Sequence, residues 1–199
     1  RMLPLCDGSD LGGSLRNPAA FCNVVGFRPS AGRVPSSTTN AAWSPMSTEG
    51  PMARTVSDIA LFLRALAGPD DRAPASNVES PEVFAGSLER DLSGVKVAWS
   101  PDAGGLPIDA AVRAALADVP NQLSDLGCDV VDMWPDLADA REIFQSQRAW
   151  IFEMGSGPLL ESYRDQMKET VIWNVELGRA MTMQAHVDAS RKQAQLFRR

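Results

Sequence analysis

Ser14 stands directly after Gly12-Gly13 and two residues before Arg16, within the run Asp7-Gly-Ser-Asp-Leu-Gly-Gly-Ser-Leu-Arg-Asn-Pro-Ala-Ala-Phe-Cys22. Adjacent glycines let consecutive backbone N–H groups turn toward one point and form an anion-binding concavity. A hydroxyl beside such a concavity suits acyl transfer, in which the oxygen attacks a carbonyl and fixed N–H donors hold the oxyanion that develops. Asp10 and Arg16 bracket the turn at a spacing that allows a charge-assisted pair. The same pattern also fits a plain glycine-rich turn. A phosphate-binding loop is a third option, although no Gly-Lys-Ser/Thr ending follows and no GxGxxG spacing is present. The G-x-S-x-G nucleophile elbow is absent, because Leu15-Arg16 follow Ser14.

Other chemistry-bearing residues offer less. His186 is the only histidine, so neither a Ser-His-Asp triad nor a multi-histidine metal site is readily assembled, and its place between Gln184 and Asp188 suggests a helix surface. Glu79 with Glu82, and Asp136 with Asp139, lie in polar segments and read as solvated carboxylates. Met181, Met183, Trp150, Phe152 and Trp173 could line an apolar acyl pocket, but helical core packing is the simpler account of them. Cys6, Cys22 and Cys128 have no metal-ligand or redox spacing, and their apolar neighbours predict reduced, buried thiols of a cytoplasmic protein.

The elements that must position these residues are legible in part. The chain has 199 residues, 44 % hydrophobic and 22 % charged, enough for a sizeable core of mainly aliphatic side chains. Its formal charge of −6 carries no basic surface for nucleic acid; Arg191, Lys192, Arg198 and Arg199 read as a solvated helix end. No stretch approaches the roughly 20 apolar residues that cross a bilayer. The first fifty residues are rich in Gly, Ser, Pro and Asn; only Asn23–Phe27 reads as a strand, and Pro29–Pro51 reads as a long ordered loop. Thr55 is set to cap a helix whose apolar residues Val56, Ile59, Leu63 and Leu66 recur at helical spacing, until Gly68-Pro69 stops it. Val95–Trp99 and Cys128–Met133 read as strands. Between them lies an apolar stripe from Ile108 to Leu126 that Pro120 must kink or break. This strand–helix–strand pattern predicts a parallel pair. From Leu137 the chain reads as helical, interrupted near Gly155-Ser-Gly-Pro158 and near Thr170. It opens on Arg-Met-Leu-Pro-Leu and closes inside a helical pattern, so residues 1–199 are expected to be the central part of a single domain, truncated at both ends.

The run Gly8-Ser-Asp-Leu-Gly-Gly-Ser-Leu-Arg-Asn-Pro-Ala-Ala-Phe-Cys-Asn-Val-Val-Gly-Phe-Arg-Pro-Ser-Ala-Gly-Arg-Val34 resembles the signature block of the amidase signature family, and Gly50-Pro-Met-Ala-Arg-Thr-Val56 resembles a second family block at a suitable distance. The resemblance implies an α/β fold, a mixed β-sheet flanked by helices, of which this chain is an incomplete piece. It implies a Ser–cis-Ser–Lys amide hydrolase without cofactor or metal. Ser14 matches the nucleophile, the backbone amides of Leu11, Gly12, Gly13 and Ser14 match the oxyanion hole, and Asp10 and Arg16 match loop-bracing positions. The substrate implied is a small-molecule amide, with no nucleic acid or membrane bound by this segment; a homodimer is compatible with this reading.

In such enzymes the bridging serine and the lysine base lie upstream of the nucleophile. Only thirteen residues precede Ser14, none of them lysine, and Ser9 lies too close to bridge. Lys96, Lys168 and Lys192 all lie downstream. An unassisted serine hydroxyl is a poor nucleophile at neutral pH, so the isolated chain is expected to be inert. Two alternatives stand beside the amidase reading. One is the glutamine-hydrolysing subunit of a tRNA-dependent amidotransferase; the other is a non-catalytic scaffold or interaction module.

Overall fold

The computed structural model describes residues 3–37 and 41–199; Arg1, Met2 and residues 38–40 of the expected Pro29–Pro51 loop lie outside the described residues. In chain order the elements are β1 (Leu5–Asp10), α1 (Arg16–Cys22), β2 (Val25–Gly26), β3 (Thr48–Ala53), α2 (Val56–Leu66), β4 (Lys96–Trp99), α3 (Ala110–Leu116), α4 (Val119–Asp125), β5 (Asp129–Asp132), α5 (Ala140–Tyr163), α6 (Glu169–Ala180) and α7 (Met183–Leu196). Short 3₁₀ turns occupy Pro81–Ala85 and Arg164–Gln166. The chain divides into two compact units, one built from the stretch up to Leu88 with Gln145–Thr182, the other from Glu89–Phe144 with Met183–Arg199. The α/β class expected from the sequence is the class observed.

The first unit holds an antiparallel sheet in the order β1-β3-β2, registered Leu5↔Ala53 through Asp10↔Thr48 and Val25↔Ala53. Two of its strands fall where the sequence reads as loop. Both β1 and β3 carry a glycine, paired across the ladder as Gly8↔Gly50, and β3 also carries Pro51. Glycine and proline mask a strand pattern because they lack, respectively, a side chain to pack and an N–H to donate. In an antiparallel ladder every second opposed pair exchanges two hydrogen bonds, and Phe27 opposite Pro51 is at such a position. Phe27 donates to the Pro51 carbonyl at 3.0 Å, but Pro51 has no N–H to return, so β2 ends after two residues.

Glycines also set how closely α1 approaches this sheet. A Cβ on Gly26 would overlap the Leu15 carbonyl and the Ala19 side chain, one on Gly50 would overlap Phe27 O and crowd Leu15, and one on Gly8 would press on Leu15. Leu15 and Ala19, fully or nearly fully buried, occupy the space these three strands leave. With that face turned inward, Cys22 at the helix end is exposed and Cys6 only half-buried, so of the three expected buried thiols only Cys128 is buried. The chain then reverses at Asn23, whose left-handed backbone (φ 53°) ends α1.

Helix α2 forms as its sequence indicates. Thr55 Oγ1 accepts the Asp58 N–H at 3.1 Å, and Ile59 and Leu63 turn onto Ala53 to form the core, with Leu5, Val25, Val34 and Phe84 packed around it. In the same unit α5 runs unbroken through Gly155-Ser-Gly-Pro158, where an interruption is expected. Arg179 of α6 ties this stretch to α6: its Nη2 donates to Gly157 O at 2.8 Å while its Nε donates to both oxygens of Glu153 at 3.0 and 3.1 Å. Gly178 lets the helices meet, since a Cβ there would overlap the Ala149 carbonyl.

In the second unit β4 and β5 pair in parallel, Lys96↔Asp129 through Trp99↔Asp132, as the strand–helix–strand pattern predicts. Pro120 breaks the intervening helix into α3 and α4 and takes the first turn of α4, where its missing N–H is tolerated. The break splits the apolar stripe, and Val112, Leu116 and Leu126 are exposed. An unforeseen break at Met181-Thr182 separates α6 from α7.

The core predicts that Leu63→Ala, which removes a side chain 2 % exposed, lowers stability by about 2–5 kcal/mol in urea denaturation. Leu61→Ala, on the exposed face of the same helix, is expected to change it by no more than about 0.5 kcal/mol.

Candidate active site

The segment between β1 and α1 is organised by one carboxylate. Asp10 is fully buried at the last position of the β1–β3 ladder, where an ionised group must be paired and hydrogen-bonded. Its Oδ1 accepts the Gly13 N–H at 2.6 Å and its Oδ2 accepts the Leu15 N–H at 3.2 Å. Arg16 closes a two-pronged pair, Nε to Oδ2 at 2.9 Å and Nη2 to Oδ1 at 3.1 Å. A second arginine, Arg28, places Nε 3.7 Å from Oδ1. The Arg16 hydrogen bonds hold the Asp10 carboxyl well below the usual carboxylate range; burial opposes this, and the Gly13 and Leu15 N–H groups reinforce it.

Ser14 sits between the two residues whose N–H groups Asp10 takes. Gly13 is buried with φ +114°, a conformation that favours glycine, and a Cβ there would crowd the Asn17 amide. Leu15 is buried in the sheet, yet Ser14 itself is exposed. Its hydroxyl, and the N–H groups of Leu11, Gly12 and Ser14, have no hydrogen-bond partner among the described residues. The Gly13 N–H, grouped with those three by sequence, is instead given to Asp10. Gly13 O accepts the Asn17 N–H at 2.7 Å, so the turn runs directly into α1.

Thr48, the register partner of Asp10, also borders a cavity of about 150 Å³ whose lining includes Gly32, Ser36, Trp43, Glu49 and Ile151. Burial first, then the charge of Asp7, push the Glu49 carboxyl upward against a hydrogen bond from Ser36. A depression of about 710 Å³ is lined by Leu3, Cys6, Pro18, Cys22, Met52 and Arg54 among others. Ser14 lines neither.

The remaining candidates have structural partners. Glu79 pairs with Arg33, Glu82 with Arg64, and Asp136 and Asp139 both with Arg199. These carboxylates are therefore ion-paired rather than free solvated groups. Lys192 is bound to Glu142 at 2.5 Å, which raises its pKa. His186 lies half-buried on α7. Trp150 and Trp173 are part-exposed, Met183 is 77 % exposed, and Phe152 carries the Arg148 guanidinium over its ring at 5.2 Å. Among the described residues no group of three His, Cys, Asp or Glu side chains could hold a metal ion, and no helix is long and apolar enough to cross a membrane.

Because its folded pKa is depressed, Asp10 stabilises the fold above its unfolded pKa of about 3.9, and that contribution is lost as pH falls through and below this value. Asp10→Asn is expected to cost about 3 kcal/mol at pH 7 and to flatten the acid limb of stability below about pH 4, measured by urea denaturation across pH. Gly13→Ala is expected to cost about 1–3 kcal/mol at every pH, since its strain does not titrate.

The Amidase family model matches residues 1–193. An acylamidase of Rhodococcus erythropolis is 31 % identical over 191 residues, covering 96 % of this chain and 40 % of its own length. A glutamyl-tRNA(Gln) amidotransferase subunit from Synechococcus sp. (strain CC9902) is 43 % identical over 132 residues, 63 % of this chain and 26 % of that protein. A crystal structure of a bacterial aryl acylamidase superposes with a TM-score of 0.75 at 26 % identity, over 94 % of this chain and 41 % of that one. Fatty acid amide hydrolase, at 22 % identity and a TM-score of 0.72, shares the fold over 96 % of this chain and 35 % of its own. The chain thus spans about 40 % of the length of the acylamidase it matches. It belongs to the amidase family, the amidase signature proteins.

Proposed function

We propose that this chain is the central part of a cofactor-independent, cytoplasmic amide hydrolase in which Ser14 is the nucleophile. One observation carries the reading. Ser14 is exposed and its hydroxyl has no hydrogen-bond partner among the described residues, while its neighbours on both sides are buried and tied through their N–H groups to Asp10. In the reaction, Ser14 Oγ attacks the carbonyl carbon of a small-molecule amide and its proton leaves through a base. The oxyanion that forms is held by backbone N–H groups of the loop; those of Leu11, Gly12 and Ser14 are available to it, whereas Gly13 is committed to Asp10. The C–N bond breaks as the amine takes up the proton, and water then cleaves the acyl-enzyme to a carboxylate and restores Ser14.

The base and the bridging serine are assigned, by the family resemblance, to a part of the protein outside these residues. The isolated chain is therefore expected to hydrolyse no amide. A second reading, a glutamine-hydrolysing subunit that passes ammonia to a partner, is favoured by the 43 % identity with the amidotransferase protein. Release of ammonia from glutamine and copurification with partner subunits would select it over an amidase acting alone.

The test is labelling of the full-length protein with a fluorophosphonate, mapped by mass spectrometry. Modification is expected at Ser14, abolished in Ser14→Ala, and absent from the 199-residue chain alone. A folded full-length protein left unlabelled would make the loop a scaffold and exclude both catalytic readings.

A further inference from the structure

We infer that Arg28 is a positioning residue for Ser14, an inference that rests on Ser14 being the nucleophile. Two arginines face the Asp10 carboxylate, and they do different things. Arg16 belongs to the loop it braces, and its side chain is 55 % exposed; it closes the loop on itself through a pair that solvent screens. Arg28 comes from beyond α1 and β2, is 25 % exposed, and joins segments that are distant in sequence. Its Nη2 donates to Met46 O at 2.9 Å, its Nη1 reaches Thr48 Oγ1 at 3.4 Å, and its Nε lies 3.7 Å from Asp10 Oδ1. Asp10 and Thr48 form the last pair of the β1–β3 ladder. The guanidinium thus clasps the point at which β1 leaves the sheet and becomes the nucleophile loop.

The base from which Arg28 reaches is itself fixed. Phe27 is hydrogen-bonded to Pro51, and both Phe27 O and the Pro29 ring lie over Gly50, in space that any Cβ at position 50 would claim. The backbone on either side of Arg28 is therefore pressed onto β3. A rigid base, two hydrogen-bond acceptors on β3 and the segment before it, and an ion-pair contact at 3.7 Å hold the guanidinium beside the Asp10 carboxylate and so tie that carboxylate to the sheet. Asp10 in turn holds Gly13 N and Leu15 N, so the location of Ser14 Oγ follows from the location of Arg28. Arg16 alone would preserve the shape of the loop but not its placement over the sheet.

The experiment uses the full-length protein and a fluorophosphonate, following modification of Ser14 over time and dividing by the folded fraction from circular dichroism. Arg28→Met is expected to lower the maximal labelling rate, kinact, per folded molecule by about tenfold or more, since misplacement by about 1 Å costs on the order of 10²-fold. The half-saturating concentration is expected to stay within about twofold, because encounter with the probe does not depend on the clasp. Arg28→Lys keeps the charge but loses the fork, and is expected to recover only part of the rate. Should Arg28→Met fail to fold, Arg28→Lys carries the test: a kinact equal to wild type overturns the inference. Wild-type labelling at Ser14 with Arg28→Met labelled equally fast per folded molecule overturns it as well and leaves the nucleophile standing. Absence of label at Ser14 in the wild type removes the nucleophile and, with it, the inference.

Discussion

A carboxylate taken wholly out of water at the end of a strand has to find donors nearby, and Asp10 finds them in the six residues that follow it. Its two oxygens accept two backbone N–H groups and a two-pronged guanidinium, while a second guanidinium stands beyond. Transfer of an uncompensated charge to such a place would cost many kcal/mol. The donors must therefore converge, and the loop can adopt only shapes in which Gly13 and Leu15 point their N–H groups inward. Residues 13 and 15 are buried with their N–H groups on Asp10, and Ser14 between them is left exposed. The exposure of the hydroxyl is thus a consequence of how the charge beside it is satisfied.

This geometry needs a flat place to land, and glycine provides it. Leu15 and Ala19 sit against all three strands of the first sheet because Gly8, Gly26 and Gly50 present no side chains there. Alanine at position 26 would force α1 outward, because its Cβ would overlap the Leu15 carbonyl and the Ala19 side chain. Glycine in a strand usually weakens it through conformational entropy. Here the loss is offset by burial of Leu15, worth about 1.5–3 kcal/mol for a fully buried leucine. The ladder and the loop therefore stabilise one another, which explains why a stretch so poor in β-formers still pairs.

The same reciprocity decides what the sequence reveals. Where local rules and tertiary packing agree, the elements are legible: the Thr55 cap and α2, the parallel β4 and β5, and the break before Pro120. The family blocks around Ser14 are legible because they are long and nearly gapless. What escapes is what depends on distant partners. The strands β1 and β3 read as loop because their Gly8, Gly50 and Pro51 serve α1 and β2 rather than strand propensity. The continuity of α5 escapes because Gly155, Gly157 and Pro158 read locally as helix breakers, while the contacts that hold the stretch, Arg179 on Gly157 O among them, come from more than twenty residues away. Arg28 stands inside the recognisable block, yet nothing in its spacing shows that it meets Asp10, Met46 and Thr48 together. The exposed Val112, Leu116 and Leu126 show the converse, a helical stripe that periodicity detects although the described residues do not bury it.

Asp10 is also the acidic group tied most directly to Ser14's neighbours, and the structure argues against its being the base. A general base needs a free lone pair and a pKa near the working pH. Both oxygens of Asp10 are taken by donors, and its pKa is driven down by the hydrogen bonds it accepts. It can neither accept the Ser14 proton nor hold it. What stabilises the loop thus excludes the loop's own carboxylate from the chemistry. The role of Asp10 is to hold the loop around Ser14, and in the proposed reaction the proton goes to another group. On the proposed reading of Ser14 as nucleophile, a group that places the hydroxyl but cannot activate it leaves activation to a separate element, as the lysine and bridging serine of the family resemblance would deliver it. The division has a physical rationale: a carboxylate basic enough to take the proton would not bind its donors tightly enough to hold the serine in place.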